Sequence, residues 1–101
     1  MMKTTLKEEN NDYVMYFEGR LDTATASQVQ LDVKPLIDNT DHDIILDCSK
    51  LEYISSSGLR IFLSILKSTK ANGHHVYIRE LSNDLRQVFT MTGFINLFEF
   101  K

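Results

Sequence analysis

The run Ile44-Ile45-Leu46, hemmed by Asp41-His42-Asp43 before it and Asp47 after it, constrains the fold more than any other stretch. Adjacent large apolar residues, two of them β-branched, leave no alternation between core and solvent. They read as a short strand buried on both faces. Ser49 to Ile54 then reads as a loop, and a helix is expected to start within Ser55-Ser56-Ser57. Along it Leu59, Phe62, Leu63 and Leu66 recur at spacings of three and four, and Ile61 and Ile65 add a second apolar line. Only Arg60, Ser64 and Lys67 keep a polar stripe, so this helix should be covered on more than one side.

The remaining elements follow from turn and cap chemistry. Two strands are expected near Thr4 to Glu9 and Tyr13 to Glu18, turning at Asn10-Asn11-Asp12. Gly19-Arg20-Leu21-Asp22-Thr23 is a helix start, with Asp22 or Thr23 as the cap. Ala26, Val29, Val33 and Leu36 form the apolar stripe of that helix, and Pro35 should kink it or end it early. Asn72-Gly73 suits a left-handed helix end, and His75 to Ile78 a further strand. Ser82-Asn83-Asp84 caps a third helix with Leu85, Val88 and Phe89 inward and Gly93 closing it, and Phe94 to Phe100 reads as a final strand. The order β-β-α-β-α-β-α-β predicts an α/β fold: one domain over 1–101, with a mixed, mostly parallel sheet of about four or five strands and about three main helices.

Composition narrows the function classes. With 101 residues, 43% hydrophobic and 25% charged, the chain has room for one core and no compositional case for disorder. A net charge of −3 with intermixed signs offers no basic surface for nucleic acid. Cys48 is the only cysteine, which rules out an internal disulfide and makes a reducing compartment the default. Met1 to Asp12 lacks the apolar segment of a secretory signal, and no stretch approaches the roughly twenty apolar residues of a membrane span. The expectation is a cytoplasmic protein without membrane insertion.

The most informative stretch runs from Asp47 through Cys48-Ser49-Lys50-Leu51-Glu52-Tyr53-Ile54 to Ser55-Ser56-Ser57-Gly58-Leu59. It sets hydroxyls at a helix N-terminus, where unpaired N–H groups and the helix dipole favour negative charge. A phosphoryl group there is locally stabilised. Gly58 removes a side chain from the first turn, so a partner surface or another backbone could approach. A plainer reading of the serines is that one caps the helix and the others are solvated.

This stretch resembles the signature of the STAS domain (sulfate transporter and anti-sigma factor antagonist). In that family a strand ending in Asp leads through an aromatic-hydrophobic pair to Asp-Ser-Ser/Thr-Gly-Leu or a close variant. The resemblance covers nearly the whole chain: Gly19-Arg20-Leu21-Asp22 is similar to the family's second-strand exit, and Leu85 to Phe89 with Met91-Thr92-Gly93-Phe94 to its last helix. It implies an anti-sigma factor antagonist, not an enzyme, that works by partner switching. Ser56 falls on the phosphorylated position, and Ser57, Gly58 and Leu59 on the residues after it. Ser55 departs from the aspartate of the antagonists that this chain resembles. Arg60, four residues after Ser56, is placed to pair with a phosphate. The implied partners are an anti-sigma factor that is itself a serine kinase of the histidine-kinase-like ATPase fold, and a phosphatase. Asp22, Ser55, Ser57, Gly58, Leu59 and Arg60 are the expected partner-binding residues. An alternative within the family is a subunit of a membrane lipid transporter complex, docked on an ATPase without a phosphate cycle.

Two other chemistries find little support. His74-His75 point to opposite faces of a strand, without the cysteines or carboxylates of a metal site. A triad of Ser56, a histidine and Asp47 lacks a Gly-x-Ser-x-Gly elbow. Cys48, after a buried strand, reads as a small hydrophobe and not as a nucleophile. No cofactor is called for by any motif.

Overall fold

The computed structural model describes residues 2–39 and 41–101; Met1, the first residue of the expected 1–101 domain, lies outside them. Strands β1 (Met2–Glu9) and β2 (Asp12–Leu21) form an antiparallel hairpin. Asn10 and Asn11, at φ 52° and 71°, make the two-residue turn whose twist matches its strands. Strands β3 (Ile44–Ile54), β4 (Val76–Arg79) and β5 (Glu99–Phe100) then add in parallel, each beside its predecessor, to give a five-stranded sheet in sequential order.

The parallel pairs are joined by helices α1 (Thr23–Asp32) and α2 (Lys34–Ile37), then α3 (Ser56–Ala71), then α4 (Asn83–Thr92). Crossovers of one hand that always step the same way along a sheet put their helices on one face of it. The core lies there, with Met15, Phe17, Leu21, Ile44, Leu46 and Cys48 of the sheet against Val29, Val33, Leu36, Phe62, Ile65 and Phe89 of the helices. Phe62 sits at its centre, with ring centroids 5.1 Å from Phe17, 6.3 Å from Phe89 and 6.4 Å from Phe98. The apolar lines expected on α1 and α3 face inward, apart from the half-buried Ala26 and Leu63.

The opposite face carries side chains in cross-strand rows. Val14, Ile45 and Tyr77 share one row, and Tyr16, Asp47 and Arg79 the next. Arg79 Nε donates to Asp47 Oδ2 at 2.8 Å and Arg79 Nη2 to Tyr16 Oη at 3.2 Å, while Tyr16 Oη donates to Glu9. Ile45 is buried on this face, as the apolar run implied; Asp47, the polar residue after the run, is buried too, held by Ser49 and Arg79.

Several boundaries differ from expectation: β1 starts at Met2, ahead of Thr4, and β2 runs from Asp12 to Leu21, through the expected helix start. Ser49 to Ile54 is strand, not loop: β3 gains a residue on β2 at each of two register shifts, between Tyr16 and Glu18 and between Gly19 and Arg20. Those bulges replace alternation with the exposed pairs Ser49-Lys50 and Glu52-Tyr53, set between buried Cys48, Leu51 and Ile54, so the segment looks irregular in sequence. The early helix end expected from Pro35 is seen: the first helix stops at Asp32, and Pro35 enters the first turn of α2, where its missing N–H costs nothing. β4 starts at Val76, one residue late. Phe94 to Phe100 is mostly not strand: Gly93 at φ 81° turns the chain into a 3-10 turn over Phe94–Asn96, and only Glu99–Phe100 pairs with β4. Phe94, Ile95 and Phe98 still pack on the core, which is what their apolar character reflected.

Candidate functional site

The register of β2 and β3 builds the site. Leu21 pairs with Ile54, and the next residue of each strand, Asp22 and Ser55, is the N-cap of α1 and of α3. Two helix N-termini therefore open side by side at the carboxyl ends of neighbouring parallel strands. Ser55 N–H donates to the Leu21 carbonyl at 2.8 Å and ties the two exits together.

Asp22 caps α1 in a reciprocal box. Its Oδ1 accepts from Thr25 N at 3.1 Å, and Asp22 N donates to Thr25 Oγ1 at 3.0 Å. The Thr25 amide holds the Asp22 carboxyl below its usual range against the opposing effect of burial, with smaller help from the Thr25 hydroxyl, Ala24 and Arg20. Asp22 is thus ionised and carries a fixed negative charge at this surface.

Ser55 caps α3 with its side chain: Oγ accepts from Gly58 N at 3.2 Å, and its carbonyl takes Leu59 N at 2.9 Å. The amides of Ser56 and Ser57 find no acceptor among the described residues. Ser56 is exposed at the first helical position, and Ser57 is half-buried. No acidic residue lies in the first turn of α3. An anion on Ser56 meets unpaired N–H groups and the positive end of a sixteen-residue helix.

Gly58 and Leu59, two of the expected partner contacts, are both buried. Leu59 is 4% exposed and belongs to the core. A Cβ on Gly58 would lie 2.7 Å from Leu21 Cγ and 2.8 Å from Ile54 Cγ1, so the close approach that glycine permits is to this chain's own strands. Arg60 is exposed. With Ser57 and Ser64 of α3 and Ala26, Ser27 and Gln30 of α1, it lines an open groove of about 410 Å³ between the two helices.

Arg20 and Tyr53 also belong to this surface, although the expected contacts did not include them. Tyr53 is 40% exposed. The Arg20 guanidinium lies over its ring at 4.5 Å, and Arg20 Nε is 4.0 Å from Asp22 Oδ2. The legible signal was Arg20 within Gly19-Arg20-Leu21-Asp22; Tyr53 became visible only when Ser49 to Ile54 proved to be strand.

The triad geometry is not assembled. Asp47 is committed to Ser49 through Ser49 N and Oγ, at 3.0 and 2.6 Å, and to Arg79. His74 and His75 pair with Asp43 and Glu99 at the other end of the strands, and no cluster of three metal-ligating residues occurs among the described residues. Cys48 is buried, and burial pushes its thiol far up, with a smaller push from Asp47. No helix among the described residues is long and apolar enough to cross a membrane.

The chain is similar to BtrV of Bordetella bronchiseptica, named as an anti-sigma factor antagonist: 29% identity over 97 residues, covering 96% of this chain and 84% of the relative. Its fold is similar to a STAS domain protein from Planctomyces limnophilus, with a TM-score of 0.89 at 15% identity, covering 100% of this chain and 90% of that one. It is also similar to the phosphorylated form of SpoIIAA, the Bacillus cell fate determinant, with a TM-score of 0.73 at 20% identity over 98% and 91% of the two chains. Residues 3–101 match the family described as the STAS domain, and the chain belongs to that family.

Proposed function

We propose that this protein is an anti-sigma factor antagonist, not an enzyme, whose binding to an anti-sigma factor is switched off by phosphorylation of Ser56. The observation that carries the reading is an exposed Ser56 hydroxyl at the start of α3, beside the unpaired amides of Ser56 and Ser57. The resemblance to an anti-sigma factor antagonist over nearly the whole chain supports the partner class, and the phosphorylated form of SpoIIAA, a structural neighbour, supports the modification.

The docking surface in this reading is the shared end of α1 and α3: Asp22, Arg20 and Tyr53 on one side of Ser56, Ser57 and Arg60 on the other. Ser55 contributes by capping the helix that presents Ser56. The anti-sigma factor is a serine kinase of the histidine-kinase-like ATPase fold, and a phosphatase resets the cycle. A phosphate adds about −1.5 to −2 charges next to ionised Asp22. Leaving it unmatched in a closed interface costs several kcal/mol, and about 4 kcal/mol is roughly a thousandfold in affinity. Arg60, one helical turn on, neutralises part of that charge in the free, modified protein.

Tagged wild type, Ser56→Ala and Ser56→Asp, recovered from the native host with their partners and phosphosites identified by mass spectrometry, test this. Retention of a kinase-like anti-sigma factor by Ser56→Ala, its loss by Ser56→Asp, and phosphate on wild-type Ser56 are expected. Recovery of one transporter ATPase by all three, with no phosphoserine, refutes the switch. It favours instead a lipid-transporter subunit, the reading that Ser55 in place of aspartate allows.

A further inference from the structure

We propose that β1 is the interface of a symmetric dimer of this chain, paired antiparallel and edge to edge about a two-fold axis through Leu6.

Among the described residues β1 pairs only with β2, so its outer backbone groups face solvent along eight residues. Folded proteins shorten, bulge, charge or cover such edges, and β1 carries Lys3, Lys7, Glu8 and Glu9. The other edge of this sheet, β5, is cut to two residues. β1 is not: its register with β2 runs without a shift from Met2 to Glu9, and it contains no proline. It also places Leu6, 39% exposed, in the middle of the open edge.

Charge then selects one register. A two-fold axis perpendicular to the sheet keeps each face on its own side, so a residue meets a partner residue of the same face. Lys3, Thr5, Lys7 and Glu9 share the open face of the sheet, and Thr4, Leu6 and Glu8 the helix face. Centred on Thr5, the pairing sets Lys3 against Lys7. Centred on Lys7, it sets Lys7 against itself and Leu6 against Glu8. Centred on Leu6, Lys3 meets Glu9 twice, Thr5 meets Lys7, Thr4 meets Glu8, and Leu6 covers Leu6. Of these three registers only the last sets opposite charges face to face; a centre at Glu8 would pair Lys7 with Glu9 but set Glu8 against itself, and like charges directly opposite are unfavourable. The α1 helix adds apolar surface at the same edge: Thr4 Oγ1 donates to Asp32 Oδ2 at 2.9 Å, and the neighbouring Leu31 is 67% exposed.

Edge pairing buries less than the roughly 1,200 Å² at the lower limit of a standard interface, so the dimer is weak and concentration-dependent. β2 separates β1 from β3, whose end leads into Ser56, and the assembly carries two accessible copies of that surface.

The test combines sedimentation of the wild type from about 1 μM to about 1 mM with disulfide trapping. A cysteine on the axis faces its own copy at a separation that a disulfide spans. Leu6→Cys is expected to cross-link several-fold faster than Thr5→Cys or Lys7→Cys, which report the two like-charge registers. Buried Cys48 stays silent in all three. Leu6→Lys is expected to be monomeric with an unchanged melting curve. A monomeric wild type over the whole range overturns the proposal, as does a dimer in which Leu6→Cys has no advantage.

Discussion

Replacing Gly58 by alanine puts a methyl carbon 2.7 Å from Leu21 Cγ and 2.8 Å from Ile54 Cγ1, well inside van der Waals contact with two separate buried side chains. Neither neighbour has slack, because Leu21 is 0% and Ile54 3% exposed. Overpacking of this kind costs about 1–3 kcal/mol, and contact on two sides argues for the upper half of that range. Alanine recovers up to about 1 kcal/mol of helix propensity, which leaves a net loss of about 1–2 kcal/mol. For a domain of this size the melting temperature should fall by about 5–15 °C, read by thermal denaturation followed by circular dichroism. A double-mutant cycle isolates the cause. Leu21→Ala alone should cost about 2–5 kcal/mol, but in that background Gly58→Ala should cost clearly less than in the wild type, because one of the two clashing side chains is gone and only Ile54 remains. Strain at the start of α3 is also expected to shift Ser56 and Ser57, so Gly58→Ala should weaken partner binding as well. Unchanged or raised stability in Gly58→Ala, or equal costs in both backgrounds, refutes the argument that this glycine exists to seat α3 on β2 and β3.

Three further outcomes rest on the same geometry. Ser55→Ala removes the α3 cap and should lose about 1 kcal/mol in denaturant unfolding, whereas Ser55→Asp, also a good cap, should stay within a few tenths of wild type. Burial opposes ionisation of Asp47, but the Ser49 hydroxyl and amide and the Arg79 guanidinium outweigh it and hold its carboxyl below the usual range. Its contribution is therefore complete above about pH 4, the unfolded value, and is lost as pH falls further through the folded one. Asp47→Ala should cost at least about 1.5–3 kcal/mol at neutral pH and flatten the acid limb of the stability profile. Cys48 should resist alkylation by iodoacetamide in the native protein and react fully in denaturant, as peptide mass mapping will read.

Much of the fold was legible because the sequence carries it as local pattern. Ile44-Ile45-Leu46, the three-and-four spacing from Leu59 to Leu66, the Asn10-Asn11 turn and the Ser82 cap are short-range signals, and each became the element it implied. The serines at the start of α3 were equally readable, since capping chemistry is written within a few residues. What the sequence could not hold is register. The two bulges that carry β3 through Ser49 to Ile54 exist only against β2, so neither the strand nor the place of Tyr53 beside Arg20 could be read from a single segment. Leu59 and Gly58 sit next to an exposed serine in sequence, yet the helix rotates one into the core and presses the other onto Leu21 and Ile54. The sequence by itself determined which residues cap, turn and pack. Only the tertiary structure decided which of them share a surface, because pairing Leu21 with Ile54 brings two distant helix starts, at Asp22 and Ser55, side by side at the carboxyl ends of the strands.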